Sequence, residues 1–116
     1  MGRIIFSTHA LLDERSSSTG EFARAYRAEY GYPPENAFSA LGYDTVNLLA
    51  DAIDRAGSGD PQAILEALED TSGFKGVTGE ISYQSVGRIP NKNVTMILLT
   101  DGEIAGSEIV APEPSI

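Results

Sequence analysis

Between Ala37 and Ala56, the residues Leu41, Thr45, Leu48, Leu49, Ala52, Ile53 and Ala56 recur at helical spacing on one face, and Gly57 follows them. That pattern predicts an amphipathic helix of about 30 Å, ended by a residue that adopts the left-handed conformation at no steric cost. Ala40, Tyr43, Val46 and Ala50 widen the stripe, so the helix is expected to pack against neighbours on two sides. The whole chain has 116 residues. A chain of that size builds one core and not two, and this helix must be its spine.

The other elements follow from shorter signals. Arg3-Ile4-Ile5-Phe6-Ser7-Thr8 predicts a buried strand, and the polar run from Asp13 to Thr19 a loop. Ser18 and Glu21 have the spacing of a capping box at a helix start. The helix that follows carries Phe22, Tyr26 and Tyr30 as one aromatic stripe, expected to be core, and stops at Gly31 before Pro33-Pro34. Asp60-Pro61 opens a third helix with Ile64, Leu65 and Leu68 as its buried face. Val77, Gly79, Ile81 and Tyr83 alternate with polar residues, which predicts a strand with one wet face. Gln84 to Asn93 is rich in turn residues, and Val94 to Leu99 is apolar on both faces, as a central strand must be. Asp101-Gly102 predicts a two-residue hairpin into an edge strand from Glu103 to Val110, and Ala111 to Ile116 a tail. The predicted class is α/β: one strand, three helices, three strands. The opening strand has no partner nearby in sequence.

Charge and composition exclude several function classes. Seventeen acidic residues against eight basic ones give a net charge of −9, with Lys75 and Lys92 the only lysines. A phosphate backbone or an anionic membrane would be repelled, so nucleic acid is not expected as a partner. The absence of Cys excludes thiolate chemistry and disulfides. No apolar run approaches the ~20 residues that span a bilayer, and no signal peptide is visible.

The search for reactive constellations returns little. His9 is the single histidine, with Asp13 and several serines after it, but no nucleophile-elbow sequence is present and the segment is expected to be plain loop. Asp44, Asp51 and Asp54 could be drawn as a carboxylate cluster for a divalent metal; their helix face is the polar one, and solvent exposure is the expectation. Gly57-Ser58-Gly59 lacks the lysine of a phosphate loop, and Asn93-Val94-Thr95 matches a glycosylation acceptor inside a predicted strand. No catalytic residue, metal site or cofactor is expected, and the chain is not expected to be an enzyme. Phe38 stands apart. It opens the long helix off the main apolar face, either closing the helix start or presenting an apolar wall to a cleft.

An ordered set of segments carries a family resemblance. The segments are Phe22…Tyr26…Tyr30-Gly31, Ala40-Leu41-Gly42-Tyr43-Asp44-Thr45-Val46, Leu49 to Ser58, Asp60-Pro61, Ile64…Ala67-Leu68, Phe74 to Tyr83, and Asp101-Gly102-Glu103. From Phe22 onward the chain resembles the C-terminal portion of a type I periplasmic solute-binding protein, in the branched-chain amino acid (Leu/Ile/Val) binding family of ABC transporters. The family has Phe-Asp before a turn glycine where this chain has Tyr83-Gln84 before Gly87.

The resemblance implies a two-lobed clamshell fold of which residues 1–116 form a single incomplete domain. Residues 10–92 resemble part of the first lobe, and residues 3–9 and 93–110 strands of the second, which accounts for the orphan opening strand. It implies Phe38 as the aromatic lining of the ligand side-chain pocket, flanked by Ala37 and Ser39. The groups that hold the ligand's ammonium and carboxylate in the family would precede Ile4. The chain alone is therefore expected not to bind Leu, Ile or Val appreciably. The implied partners are an amino acid or similar small solute, in the full-length parent, and an ABC transporter permease, in a periplasmic or extracytoplasmic setting. Exposed strand edges are expected to drive homo-oligomers, with self-association completing the fold. A second reading stays open: a self-standing sensory or protein-interaction module derived from the same fold.

Overall fold

The computed structural model describes residues 2–83 and 89–112. The chain runs β1 (Arg3–Thr8), α1 (Gly20–Tyr30), α2 (Phe38–Ala56), α3 (Pro61–Glu69), β2 (Phe74–Gly76), β3 (Gly79–Ser82), β4 (Asn91–Lys92), β5 (Val94–Thr100) and β6 (Glu103–Val110). Three helices stand where expected. Five strands follow them instead of three, because β2 and β4 span three and two residues, too few for any alternation to register. Half of the turn-rich 84–93 connection and the end of the tail fall on residues 84–88 and 113–116, outside the described residues.

The strands form two separate antiparallel sheets, in the orders β1-β5-β6 and β2-β3-β4. The opening strand finds its partner far along the chain, with Arg3 opposite Thr100 and Thr8 opposite Thr95. β5 is central, as its apolar run requires, and buries Thr95 and Ile97. Asp101 and Gly102 both take positive φ, 53° and 82°, which matches the twist of a tight hairpin between β5 and β6. The β5–β6 register shifts between Leu98 and Leu99, so that Leu98 faces Gly106 and Leu99 faces Ile104. No residue of β6 is buried.

The helices belong with the smaller sheet. α2 buries Ala40, Asp44, Leu48 and Ala52, a narrow row at i, i+4 spacing against α3 and β2. The wider stripe predicted for α2 is not covered on a second side: Tyr43, Val46, Leu49 and Ile53 remain exposed. Arg55 ties α2 to α3, its guanidinium donating to the Ala67 carbonyl and to Thr71 Oγ1 at 2.8 Å each, while its Nε meets Asp51 Oδ2 at 2.8 Å. Asp60 caps α3 by accepting from the Ala63 amide at 3.1 Å, and Pro61 occupies the first turn. Ile64, Leu65 and Leu68 are only half-buried.

Three local expectations fail. β1 was expected to be buried and is exposed from Arg3 to Ser7, because it lies at the edge of its sheet with β5 on one side. The Ser18/Glu21 capping box does not form; Thr19 is the N-cap and makes no side-chain cap bond, its hydroxyl instead donating to the Leu11 carbonyl at 3.0 Å. Ser18 bonds Ser16 instead, because the loop folds back on itself. The aromatic stripe of α1 is not core. Phe22, Tyr26 and Tyr30 join Tyr32 and Tyr43 in a chain of ring contacts with centroids 4.6–6.4 Å apart, and Tyr30, Tyr32 and Tyr43 are exposed. No large side chain is completely buried among the described residues.

Candidate ligand cleft between the sheets

The chain crosses between its two sheets twice, once after β1 and once before β5. A cavity of about 230 Å³ opens at this junction, lined by Ala10 to Thr19 residues of the first crossing, Gly76 to Gly79 of the β2–β3 turn, Asn93 and Thr95 of the second crossing, and Ser107 and Ile109 of β6. It is smaller than the ~300 Å³ of ordinary small-molecule pockets. Its walls combine the hydroxyls of Ser16, Ser18, Thr19, Thr78, Thr95 and Ser107 with the apolar side chains of Leu11, Val77 and Ile109.

The turn that forms one wall is held from beneath by a buried carboxylate. Asp44 is 3% exposed. Its Oδ1 accepts from the Val77 amide at 2.8 Å, and its Oδ2 accepts from the Thr78 amide at 2.9 Å and from Thr78 Oγ1 at 2.6 Å. Lys92 of β4 donates to Thr78 Oγ1 at 2.7 Å and to the Thr78 carbonyl at 3.1 Å. Burial pushes the Lys92 amine below its ordinary pKa, and the nearby Asp44 charge pulls it partly back. A Cβ at Gly76 would stand 2.6 Å from Asp44 Oδ2, and Gly79 holds φ at +116°. The Gly76-Val77-Thr78-Gly79 spacing is therefore the shape of a turn wrapped around one carboxylate.

Asp44 was expected on a solvated face and lies in the interior; the turn's amide donors compensate its burial. Asp51 is paired with Arg55. Among the described residues no group of three or more His, Cys, Asp or Glu is placed to hold a metal ion. Thr95 of Asn93-Val94-Thr95 is buried in β5.

Phe38 stands apart from this cavity. Its ring is 69% exposed at the start of α2 and lies 6.3 Å from the His9 ring, centroid to centroid. Asn36 sets it there, accepting from the Phe38 amide through Oδ1 at 3.0 Å, while Ser39 Oγ donates to the Asn36 carbonyl at 2.9 Å. Ala37, the N-cap residue, and Ser39 are half-buried. The three residues expected to line a pocket are consecutive and so share one helix start, and His9, in a segment expected to be plain loop, lies beside them. Only its position directly after a strand, level with the turn before α2, could have signalled the contact. Asp13 makes its charged contacts with Arg15 (3.3 Å), and the backbone and side chain of Arg15 hold its carboxyl below the usual range.

The sequence profile of the periplasmic binding protein family matches residues 1–103. The chain belongs to that family. A Leu/Ile/Val-binding protein homolog 1 of Brucella abortus is 37% identical over 70 residues, covering 60% of this chain and 18% of the relative. A leucine-binding protein LivK from Thermotoga maritima superposes with a TM-score of 0.74 at 32% identity, over 94% of this chain and 31% of its own. The branched-chain amino acid transporter substrate-binding protein LivJ of Streptococcus pneumoniae, solved with isoleucine, gives 0.74 at 32% identity over 93% and 30%. The three helices and six strands are part of the two-lobed type I periplasmic binding fold, and the chain spans under a third of the length of these structures. The family is one of solute-binding transport components, not of enzymes. Among the described residues no helix is long and apolar enough to cross a membrane.

Proposed function

We propose that this chain corresponds to the C-terminal third of an extracytoplasmic solute-binding protein for ABC-type uptake of branched-chain or related amino acids, delivering its solute to a permease. Residues 10–92 belong to the first lobe of that clamshell, and residues 3–9 and 93–110 to the second. The two sheets joined by two crossings support this division, since β1 and β5–β6 pair with each other and not with the helical part. Phe38, with Ala37 and Ser39 beside it, forms the apolar wall of the solute's side-chain pocket. The observation that carries the reading is the exposed Phe38 ring at the start of α2, beside the crossing, in a chain whose backbone follows an isoleucine-bound LivJ.

One aromatic wall cannot hold an amino acid. The ligand's ammonium and carboxylate must exchange water for paired polar groups, since leaving even a neutral polar group uncompensated costs roughly 1–3 kcal/mol in protein mutational data and an ionised one far more. The 116-residue chain alone should therefore give no binding heat with Leu, Ile or Val in calorimetric titration, and micromolar affinity would overturn that part. The pocket assignment is tested in a hybrid, with residues 3–112 replacing the matching segment of the S. pneumoniae LivJ. The hybrid should bind isoleucine, and Phe38→Ala in it should weaken binding about tenfold or more, from roughly 1.5–3 kcal/mol of lost apolar burial. A folded hybrid whose affinity ignores the Phe38 change would sink the assignment.

A further inference from the structure

Resting on the solute-binding reading above, we infer that Lys92 is a positioning residue for that function: through Thr78 and Asp44 it fixes the β1-β5-β6 sheet relative to Phe38. Phe38 opens α2, and Asp44 lies further along the same helix. From Asp44 the link passes to the β2–β3 turn and on to β4, and the single residue Asn93 separates β4 from β5.

Each step of the link is a directed hydrogen bond. The Lys92 ammonium donates to Thr78 Oγ1 at 2.7 Å, and that hydroxyl donates in turn to Asp44 Oδ2 at 2.6 Å. The ammonium also donates to the Thr78 carbonyl at 3.1 Å, so two of its three protons address one residue. Thr78 and Asp44 are 5% and 3% exposed. All the partners lie between Asp44 and Lys92, so the link is complete within this chain.

Register is the reason a cation is needed there. β4 is two residues long and meets β3 with Lys92 opposite Ile81 and Asn91 opposite Ser82. A strand's register is ordinarily set by its apolar face, and a slip of one residue turns every side chain over. Asn91 and Lys92 are both polar, so burial cannot choose between registers. Lys92 can: in the observed register its ammonium reaches Thr78, and after a slip of one residue it would lie on the opposite face. Buried ionic groups add little net stability, because desolvation opposes them, and specifying register is their best-attested use. A slip at β4 would pass through Asn93 to β5, and would carry β1 and β6 along because both pair with β5. That side of the solute cleft would then be out of step with Phe38.

The test uses the hybrid with residues 3–112 in the S. pneumoniae LivJ, with isoleucine as the probe. Lys92→Met keeps the apolar stem and removes the ammonium. It should weaken isoleucine binding several-fold, up to about thirtyfold, the range for residues that act on a site from a distance. Thr78→Val should weaken binding similarly, while Thr78→Ser, which keeps the hydroxyl, should lose far less. Phe38→Ala should cost clearly less in the Lys92→Met background than by itself, because a displaced ring has less contact left to lose. A merely structural role would leave those two effects additive. Circular dichroism confirms that each variant is folded, and the two Thr78 variants carry the test if Lys92→Met is not. A folded Lys92→Met hybrid with unchanged affinity, equal losses from Thr78→Val and Thr78→Ser, or strict additivity with Phe38→Ala would each overturn the positioning role. If Phe38→Ala by itself changes nothing, the pocket reading fails and this inference with it. If Phe38→Ala weakens binding and Lys92→Met does not, the pocket reading stands and this inference alone falls.

Discussion

Asp44 organises the turn between β2 and β3 from beneath. Three hydrogen bonds from Val77 and Thr78 end on its carboxylate, and Lys92 completes the cluster through Thr78. Replacing it by Ala strands two backbone amides under α2, which should cost about 3 kcal/mol in urea unfolding. Gly76→Ala should cost about 1–3 kcal/mol on its own, because the new methyl group meets a carboxylate that the turn holds in place. The two changes should not add. With Asp44 truncated the clash is gone, so the double variant should be clearly more stable than the sum of the singles predicts; strict additivity would show that the turn is not shaped around the carboxylate. Residue types alone pointed the other way, since a helical Asp between Tyr43 and Thr45 reads as surface. Its burial depends on donors more than thirty positions later in the chain.

At the scale of elements, local chemistry was legible. Gly31 and Gly57 end α1 and α2 in the left-handed conformation, at φ 81° and 64°. Asp60 caps α3 and Asp101-Gly102 turns the hairpin. Each signal acts within four residues, so tertiary context has little chance to override it. Asp60→Ala should cost about 1 kcal/mol, measured as a lowered urea midpoint at unchanged slope. The capping box failed although its spacing was right, because Ser16 captured Ser18 and the Leu11 carbonyl captured Thr19. The α1 aromatic stripe failed as core for a related reason: periodicity gives the face, but not whether anything lies opposite it. Here the rings pack tilted against one another along α1, and Phe22 reaches α2 through Tyr43.

The whole molecule is open. Its radius of gyration is 16.3 Å, with extents of 54 × 42 × 19 Å, against about 13 Å for a compact chain of this length. Small-angle scattering from the 116-residue chain, extrapolated to zero concentration, should return a value close to 16 Å; one near 13 Å would show the two sheets folded onto each other. The same openness explains why the candidate pocket was only partly legible. Phe38 was identified by resemblance, and its exposure follows from Asn36 shaping the turn before α2. His9 beside it was invisible, because their contact joins the first crossing to the start of α2, a spacing that no local pattern encodes. By itself the sequence determined the α/β class, the helix ends, the tight hairpin and the central place of β5, all consequences of short-range sterics and hydrogen bonding. Tertiary structure alone decided that β1 pairs with β5, that Asp44 is interior, and which apolar faces stay in water. Those outcomes depend on segments far apart in the chain, and a contact's free energy exists only once both sides have been brought together.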